Sequence, residues 1–471
     1  MKNDLIISFR ADISSIEQTE NEIVLKNKNN SLNLQHISPG ILEAIAVLCA
    51  EGETEEKLSQ LVLEKDGHYG LSEFYYYLET FIKIGLICHT VKFDEGTLAT
   101  LLSNSSNYKF QFKKVVLDKN YILSRFAYCH REDDRLILES PLSFGKIILN
   151  NWRSSAIVTE LAKPVNCLQL CQQISDLTEE TIQLFLSLLL SADMLAEAAG
   201  ENKEIQTENS PLAQWEFQDL LFHSQIRTGR QNKPIGRTYR FWKQIPQLPV
   251  VKPKVSEEII DLYKPEFNEQ QATDPYFTTV LESRRSIRSF GKQPITDRQL
   301  GEFLYRSARV KKLTKTDIEE LSNRPYPSAG ACYELEFYLA INSCQNIASG
   351  FYHYCPQEHQ LGRISGLDDP VKALLEEARI NNPQKSVPQI LIILAARFQR
   401  ASWYYESIAY AGILKNVGAV FQTMYLVATA LGLAPCALGY GNSDLFAAAS
   451  GTDYYAETSV GEFILGSKPE N

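Results

Sequence analysis

Apolar residues recur along this chain with two periods, and the change between them divides it. Residues 1 to about 195 carry a weak internal repeat in the three-to-four spacing of helices. The first copy runs from Leu32-Asn33-Leu34 through Ser38-Pro39 into Ile41, Leu42 and Ile45, then through 54–63 and 74–84 to Leu86-Ile87. The second starts at Leu136-Ile137-Leu138 and Ser140-Pro141, and passes through 156–161, 168–174 and 182–190 to Met194-Leu195. Each copy predicts an entry strand, three short helices opened by Ser-Pro, and an exit strand. That is the layout of a winged helix.

Strand-like alternation dominates later. A helix over 296–308, with Asp297 in its first turn, precedes the small-residue turn Pro327-Ser328-Ala329-Gly330 and an alternating strand to Ile341. A hairpin over 350–354 and 360–364 and a buried strand over 387–396 follow. The stripe Leu414, Val417, Val420, Phe421, Met424, Val427, Leu431 predicts a long helix from about Tyr404, closed by Gly432. A glycine turn at 435–441 and a last strand at 462–465 complete one α+β domain. Between the two patterns lie a polar, helix-breaking stretch at 196–215 and a Pro-punctuated run at 246–253 suited to wrapping another domain. The expected division is a winged-helix-like domain at 1–100, a second at 101–200, a linker and wrapping segment at 201–255, and the α+β domain at 256–471.

Composition narrows the function. Apolar content of 44% and charged content of 22% suit a globular protein, and the net charge of −10 argues against nucleic-acid or anionic-membrane partners. Between Ser38 and Thr90 nine acidic residues face three lysines, the wrong sign for a DNA-reading helix. A peptide added beside the third helix of the winged helix is the better expectation, giving a peptide clamp. Nine irregularly spaced cysteines suit reduced thiols and a cytoplasmic setting, and Cys167 with Cys171 lacks the companions of a metal site. Charges interrupt the N-terminal apolar run, so no signal peptide is expected. The uncharged stretch 416–443 holds Gln422, Thr423 and Pro435, and predicts a core helix or dimer interface rather than a membrane span.

The strongest chemical signal is S-R-R-S-I-R-S-F, Ser283 to Phe290. Arg284, Arg285 and Arg288 fall within five residues with nothing acidic between them. As the first turn of a helix they would repel one another, which an anion such as phosphate would resolve. The turn at 327–330 lets backbone amides and Ser328 approach a ligand closely.

In order, R-R-S-I-R-S-F followed by P-I, then P-S-A-G, then a long helix ending A-L-G-L-x-P-C-x-L-G resemble the nitroreductase-type FMN fold, over about residues 256–471. With F-H-S-Q-I-R-T-G-R and the double winged-helix front, the chain is similar to azoline dehydrogenases of ribosomal-peptide pathways, above all the cyanobactin oxidases. The resemblance implies FMN-dependent conversion of peptide thiazolines or oxazolines to thiazoles or oxazoles, with oxygen reoxidising the flavin. It implies that Arg284, Arg285 and Ser286 hold the FMN phosphate and ribityl chain, that Arg288 lies near flavin N1 and O2, and that Lys468 reaches the phosphate. Pro327, Ser328 and Gly330 would contact the flavin of the other subunit of a homodimer. Leu438 and Gly439 would present backbone groups to the isoalloxazine edge.

Some family members carry a Lys-Tyr pair before the long helix that handles the proton. Here Tyr405 stands for the tyrosine, Tyr404 occupies the lysine position, and Lys415 is the candidate helper. A tyrosine near its ordinary pKa of about 10 is a poor base at neutral pH unless a cation lowers it. Cys332 and Glu334 also depart from the family's Leu and Pro, and Glu334 is expected to be solvated. The alternatives are an NAD(P)H-dependent nitroreductase or flavin reductase and a catalytically lapsed peptide-binding protein. No G-x-G-x-x-G dinucleotide fingerprint follows a strand.

Overall fold

The strand Leu335–Ile341 is buried at every position, which requires cover on both faces. In a computed structural model describing residues 5–11, 15–19, 22–26, 31–94, 96–105, 107–199, 203–204 and 211–470, it has that cover. The chain divides into two compact units, Met1–Lys233 and Pro234–Asn471.

In the second unit, Leu335–Ile341 is the middle of an antiparallel sheet of seven strands. Their order is Ile259–Asp261, Gln360–Ser365, Gly350–Cys355, Leu335–Ile341, Ile390–Arg397, Glu457–Ser467, Leu433–Ala437. Alternation sends Phe337, Leu339, Ile392 and Leu394 to one face, against Phe303 of the helix Asp297–Ala308 and Met424 of the helix Ala409–Ala430. Tyr338, Ala340, Leu391 and Ile393 pack on the other face, against Leu374 of Asp369–Asn381 and Phe446 of Ser443–Ser450. Each buried Leu, Ile, Phe or Met among them contributes about 1.5–3 kcal/mol, so the sheet is the floor of the unit. The long helix begins at Ala409 rather than near Tyr404. Tyr405–Glu406 instead forms a two-residue strand against Gly236–Arg237, and Ser407 follows at φ 62.

The first unit builds both repeats onto one sheet, in the order 53–54, 6–9, 87–93, 96–103, 145–149, 135–139, 128–132. The helix Pro39–Cys49 precedes Glu55–Lys83, which breaks at Gly67 (φ 66), so three helical arms result. Asp66 beside that break accepts hydrogen bonds from the Gly40 and Ile41 N–H groups, at 3.0 and 3.1 Å, and so caps the first helix. The second repeat supplies Trp152–Glu160, Cys167–Gln173 and Glu179–Ser191, and its exit strand Leu195–Ala199 pairs with Tyr121–Leu123. Strand 96–103 pairs with 145–149, joining the repeats, so among the described residues the edges of this sheet open to peptide addition are at 53–54 and 128–132.

The segment 201–255 divides between the units. Residues 211–233, including the helix Phe217–Gln225, belong to the first, and residues 234–255 to the second. Much of the expected linker, at 200–202 and 205–210, lies outside the described residues, as do residues 1–4 of the N-terminal run. Among the described residues no helix is long and apolar enough to cross a membrane, and no group of three or more His, Cys, Asp or Glu could hold a metal ion. None of the nine cysteines is in a disulfide.

Candidate active site

The arginine stretch does not open a helix. The helix Phe277–Ser283 ends as the Arg284 N–H bonds the Val280 carbonyl, and Arg284 then turns extended (ψ 124). The next donors go sideways: Ile287 N–H reaches Pro435 O at 2.8 Å, and Gly291 N–H reaches Ser467 O at 3.0 Å. The stretch thus runs beside the last two strands instead of winding into a helical turn.

Tyr425, absent from the residues singled out in the sequence, organises this corner. Its hydroxyl bonds Ser286 Oγ at 2.8 Å and accepts the Ala437 N–H at 2.8 Å, and the Arg284 guanidinium lies 5.3 Å from its ring. Ala437 leads directly into Leu438 and Gly439. The Leu438 N–H is taken by Glu462 O at 2.9 Å, leaving its carbonyl; a Cβ on exposed Gly439 would meet nothing within 4 Å. Glu462, its carboxyl raised by burial, borders a cavity of about 220 Å³ there with Phe421 and Gly461. Asn382 and Ser386 hold the Arg288 carbonyl at 2.8 and 2.7 Å, and exposed Lys468 has its backbone against Gly291. Arg284, Arg285, Arg288 and Lys468 make no ion pair among the described residues. Cations without an anion beside an open glycine edge fit a phosphate-bearing planar cofactor such as FMN.

A second group forms around the small-residue turn. Pro327 is exposed, and Ser328 Oγ accepts the Tyr333 N–H at 3.1 Å and an Asn416 Nδ2 hydrogen at 3.1 Å. Asn416 also donates to Glu334 Oε1 at 2.8 Å and accepts the Ala329 N–H at 2.9 Å. The expectation that Glu334 is solvated is corrected: it is 0% exposed, satisfied by Asn416 and Ser328, and burial raises its carboxyl above the usual range. Gly330 takes φ 57, and a Cβ there would run into the Tyr405 hydroxyl, so this turn and Tyr405 are in contact.

Tyr404 and Tyr405 diverge. Tyr404 is 0% exposed, its hydroxyl bonded by Gln247 and raised by burial to about 12. Its surroundings are strapped down by the 245–250 backbone. Trp403 Nε1 donates to Ile245 O at 2.9 Å, Gln399 to Pro246 O at 3.0 Å, Arg400 to Leu248 O at 2.9 Å and Arg397 to Pro249 O at 2.8 Å. Tyr405 is only partly buried, directly across the strand pair from Arg237. Lys415 is not brought to it by any contact among the described residues: it is exposed on the long helix and makes no hydrogen bond or ion pair there. The predicted residues therefore fall into two groups. Their anchors on the long helix, Asn416 and Tyr425, are nine positions apart, about 14 Å along the axis.

A helix-flanked antiparallel sheet of this order, with the arginine stretch at its edge, is the nitroreductase fold. The nitroreductase family profile matches residues 281–466. Profiles described as cyanobactin oxidase ThcOx and the ThcOx helix-turn-helix domain match residues 121–232 and 1–112. A nitroreductase-family protein of Methanocaldococcus jannaschii is 32% identical over 160 residues, 34% of this chain and 76% of that protein. A nitroreductase-family crystal structure from Ralstonia eutropha is 19% identical over 51% of this chain and 100% of its own, with a TM-score of 0.36. The Escherichia coli microcin synthetase McbBCD complex with truncated pro-MccB17 bound is 17% identical over 50% of this chain and 88% of its own, with a TM-score of 0.35. The chain belongs to the nitroreductase family, and its front half is similar to the cyanobactin oxidases over residues 1–112 and 121–232.

Proposed function

We propose that this oxidoreductase converts thiazoline or oxazoline rings of a peptide to thiazole or oxazole with FMN, two hydrogens leaving each ring and oxygen restoring the cofactor. The front half carries this assignment: residues 1–112 and 121–232 match cyanobactin-oxidase profiles, and reductase chemistry gives that region no purpose. Peptide capture does.

Arg284, Arg285, Ser286, Arg288 and Lys468 would hold FMN, with Leu438 and Gly439 at its edge; bound there, it would supply a two-electron acceptor. Pro327, Ser328 and Gly330 would complete the site from a second copy, because within one chain their group stands a helix segment away from the arginines. Phe267, Tyr276, Phe277 and Leu281, along two successive short helices, are 68%, 87%, 67% and 43% exposed, apolar surface of the kind a second copy covers. Tyr405 would take the ring proton, while buried Tyr404 supports it.

The test is to incubate the flavin-loaded protein in air with a thiazoline peptide, without NAD(P)H, and follow peptide mass. Loss of two hydrogens per ring is expected. An unchanged peptide, with flavin bleached by NAD(P)H, would instead support a nitroreductase or flavin reductase, the alternative favoured by the match to the Methanocaldococcus protein.

A further inference from the structure

The residues before and after the catalytic sheet leave one charged side chain unexplained. Gly236–Arg237 pairs antiparallel with Tyr405–Glu406, and Arg237 is the direct partner of Tyr405. Directly opposed residues project to the same face of such a pair, with Cβ atoms about 4.5–5.5 Å apart. The pairing is pinned: the Thr238 and Tyr239 N–H groups both bond Tyr404 O, at 3.0 and 3.2 Å, and Thr238 Oγ1 bonds Glu406 at 3.1 Å.

The guanidinium of Arg237 sits 4.8 Å from the Tyr404 ring and 5.0 Å from the Tyr239 ring, and pairs with Glu319. Its side chain keeps 33% exposure, whereas Arg400 is 0% exposed and spends its donors on the carbonyls of Cys332, Leu248 and Glu320. Arg237 has five N–H donors and one acidic partner, so donors remain for an oxygen beside it. The cation that the sequence sought at Lys415 is present, delivered from 168 residues upstream of Tyr405.

We propose that Arg237 is a positioning residue of the proton-transfer site, its guanidinium supporting the charged form of the Tyr405 oxygen. The proposal rests on the role assigned to Tyr405 above. The groups around Tyr405 are Arg237 and Tyr239 from the 236–239 segment, Glu319 from the turn of the 312–323 hairpin, Gly330 of the small turn, Cys332 after it, and Tyr404. Burial raises the Tyr405 phenol, Cys332, Tyr239 and Glu319 add to this, and Arg237 opposes them. Glu319 restrains Arg237, so the two should move Tyr405 in opposite directions.

That opposition is the test. Full-length flavin-loaded wild type, Arg237→Gln, Arg237→Lys and Glu319→Gln would be titrated without substrate, taking as the Tyr405 signal the phenolate absorbance lost in Tyr405→Phe. The alkaline limb of the pH profile for thiazoline-peptide oxidation would be recorded in parallel. Arg237→Gln should move the Tyr405 midpoint up by about one pH unit, Glu319→Gln should move it down, and Arg237→Lys should stay near wild type. Equal midpoints, or Arg237→Gln and Glu319→Gln moving the same way, would overturn the proposal. If no variant oxidises peptide, the oxidase assignment has failed, and the substrate-free titration still decides whether Arg237 acts on Tyr405.

Discussion

Two sets of arginines in the second unit are built in opposite ways. Arg324, Arg397 and Arg400 are almost wholly buried, and their guanidiniums bond backbone carbonyls from 248 to 250, at 2.8 to 3.3 Å. Arg397 also meets Glu336 at 3.1 Å. Arg284, Arg285 and Arg288 are more open and have no acidic partner among the described residues. The same side chain is a rivet in one region and a candidate anion receptor in the other. A guanidinium held by protein acceptors is accounted for by folding, while one with no acidic partner keeps its donors for a ligand. Arg237 stands between the two, paired but with donors to spare.

Substitutions sharpen this contrast. The largest effect should come from neither set: Tyr405→Phe removes the proposed proton acceptor and should slow peptide oxidation by ~100- to 10,000-fold, with flavin content unchanged, as read by peptide mass and flavin absorbance. Arg400→Leu strips donors from three carbonyls and should cost ~3 kcal/mol or more in a denaturant titration. Arg285→Ala should invert that result, weakening FMN binding by about 10-fold or more while leaving stability within about 0.5 kcal/mol. Equal losses of stability in these two variants would erase the distinction between rivet and receptor.

The smallest effect concerns Glu334. Its folded carboxyl is raised by burial, so the folded state binds more protons than the unfolded one above the ordinary carboxylate range. Its favourable contribution is full below that range and is lost as pH rises through the folded value. Glu334→Gln keeps an acceptor for Asn416 and cannot ionise, so it should gain stability relative to wild type as pH rises from 4 to 8, measured by melting temperature at each pH.

The arginine stretch, the small-residue turn, Tyr405 and the glycine edge were legible in sequence because each is local and their order along the chain is distinctive. Long apolar strands such as Ile390–Arg397 were legible for the same reason. The extended course of 284–291 was not, because Pro435 and Ser467, far along the chain, take the Ile287 and Gly291 backbone donors. Glu334 looked solvated because its partner Asn416 lies 82 residues away. Arg237 was invisible because a two-residue strand has no periodicity to read, and its pairing with Tyr405 exists only in three dimensions. Local pattern picked out the candidate groups, and tertiary contacts decide which side chains surround them.

The most direct measurement is a single turnover without oxygen or NAD(P)H. Flavin-loaded protein would be mixed with a thiazoline peptide while flavin absorbance and peptide mass are followed together. The account predicts that the flavin bleaches in step with thiazole formation, one ring per flavin, and recovers on admitting air. A flavin that stays oxidised with peptide but bleaches with NAD(P)H would contradict it.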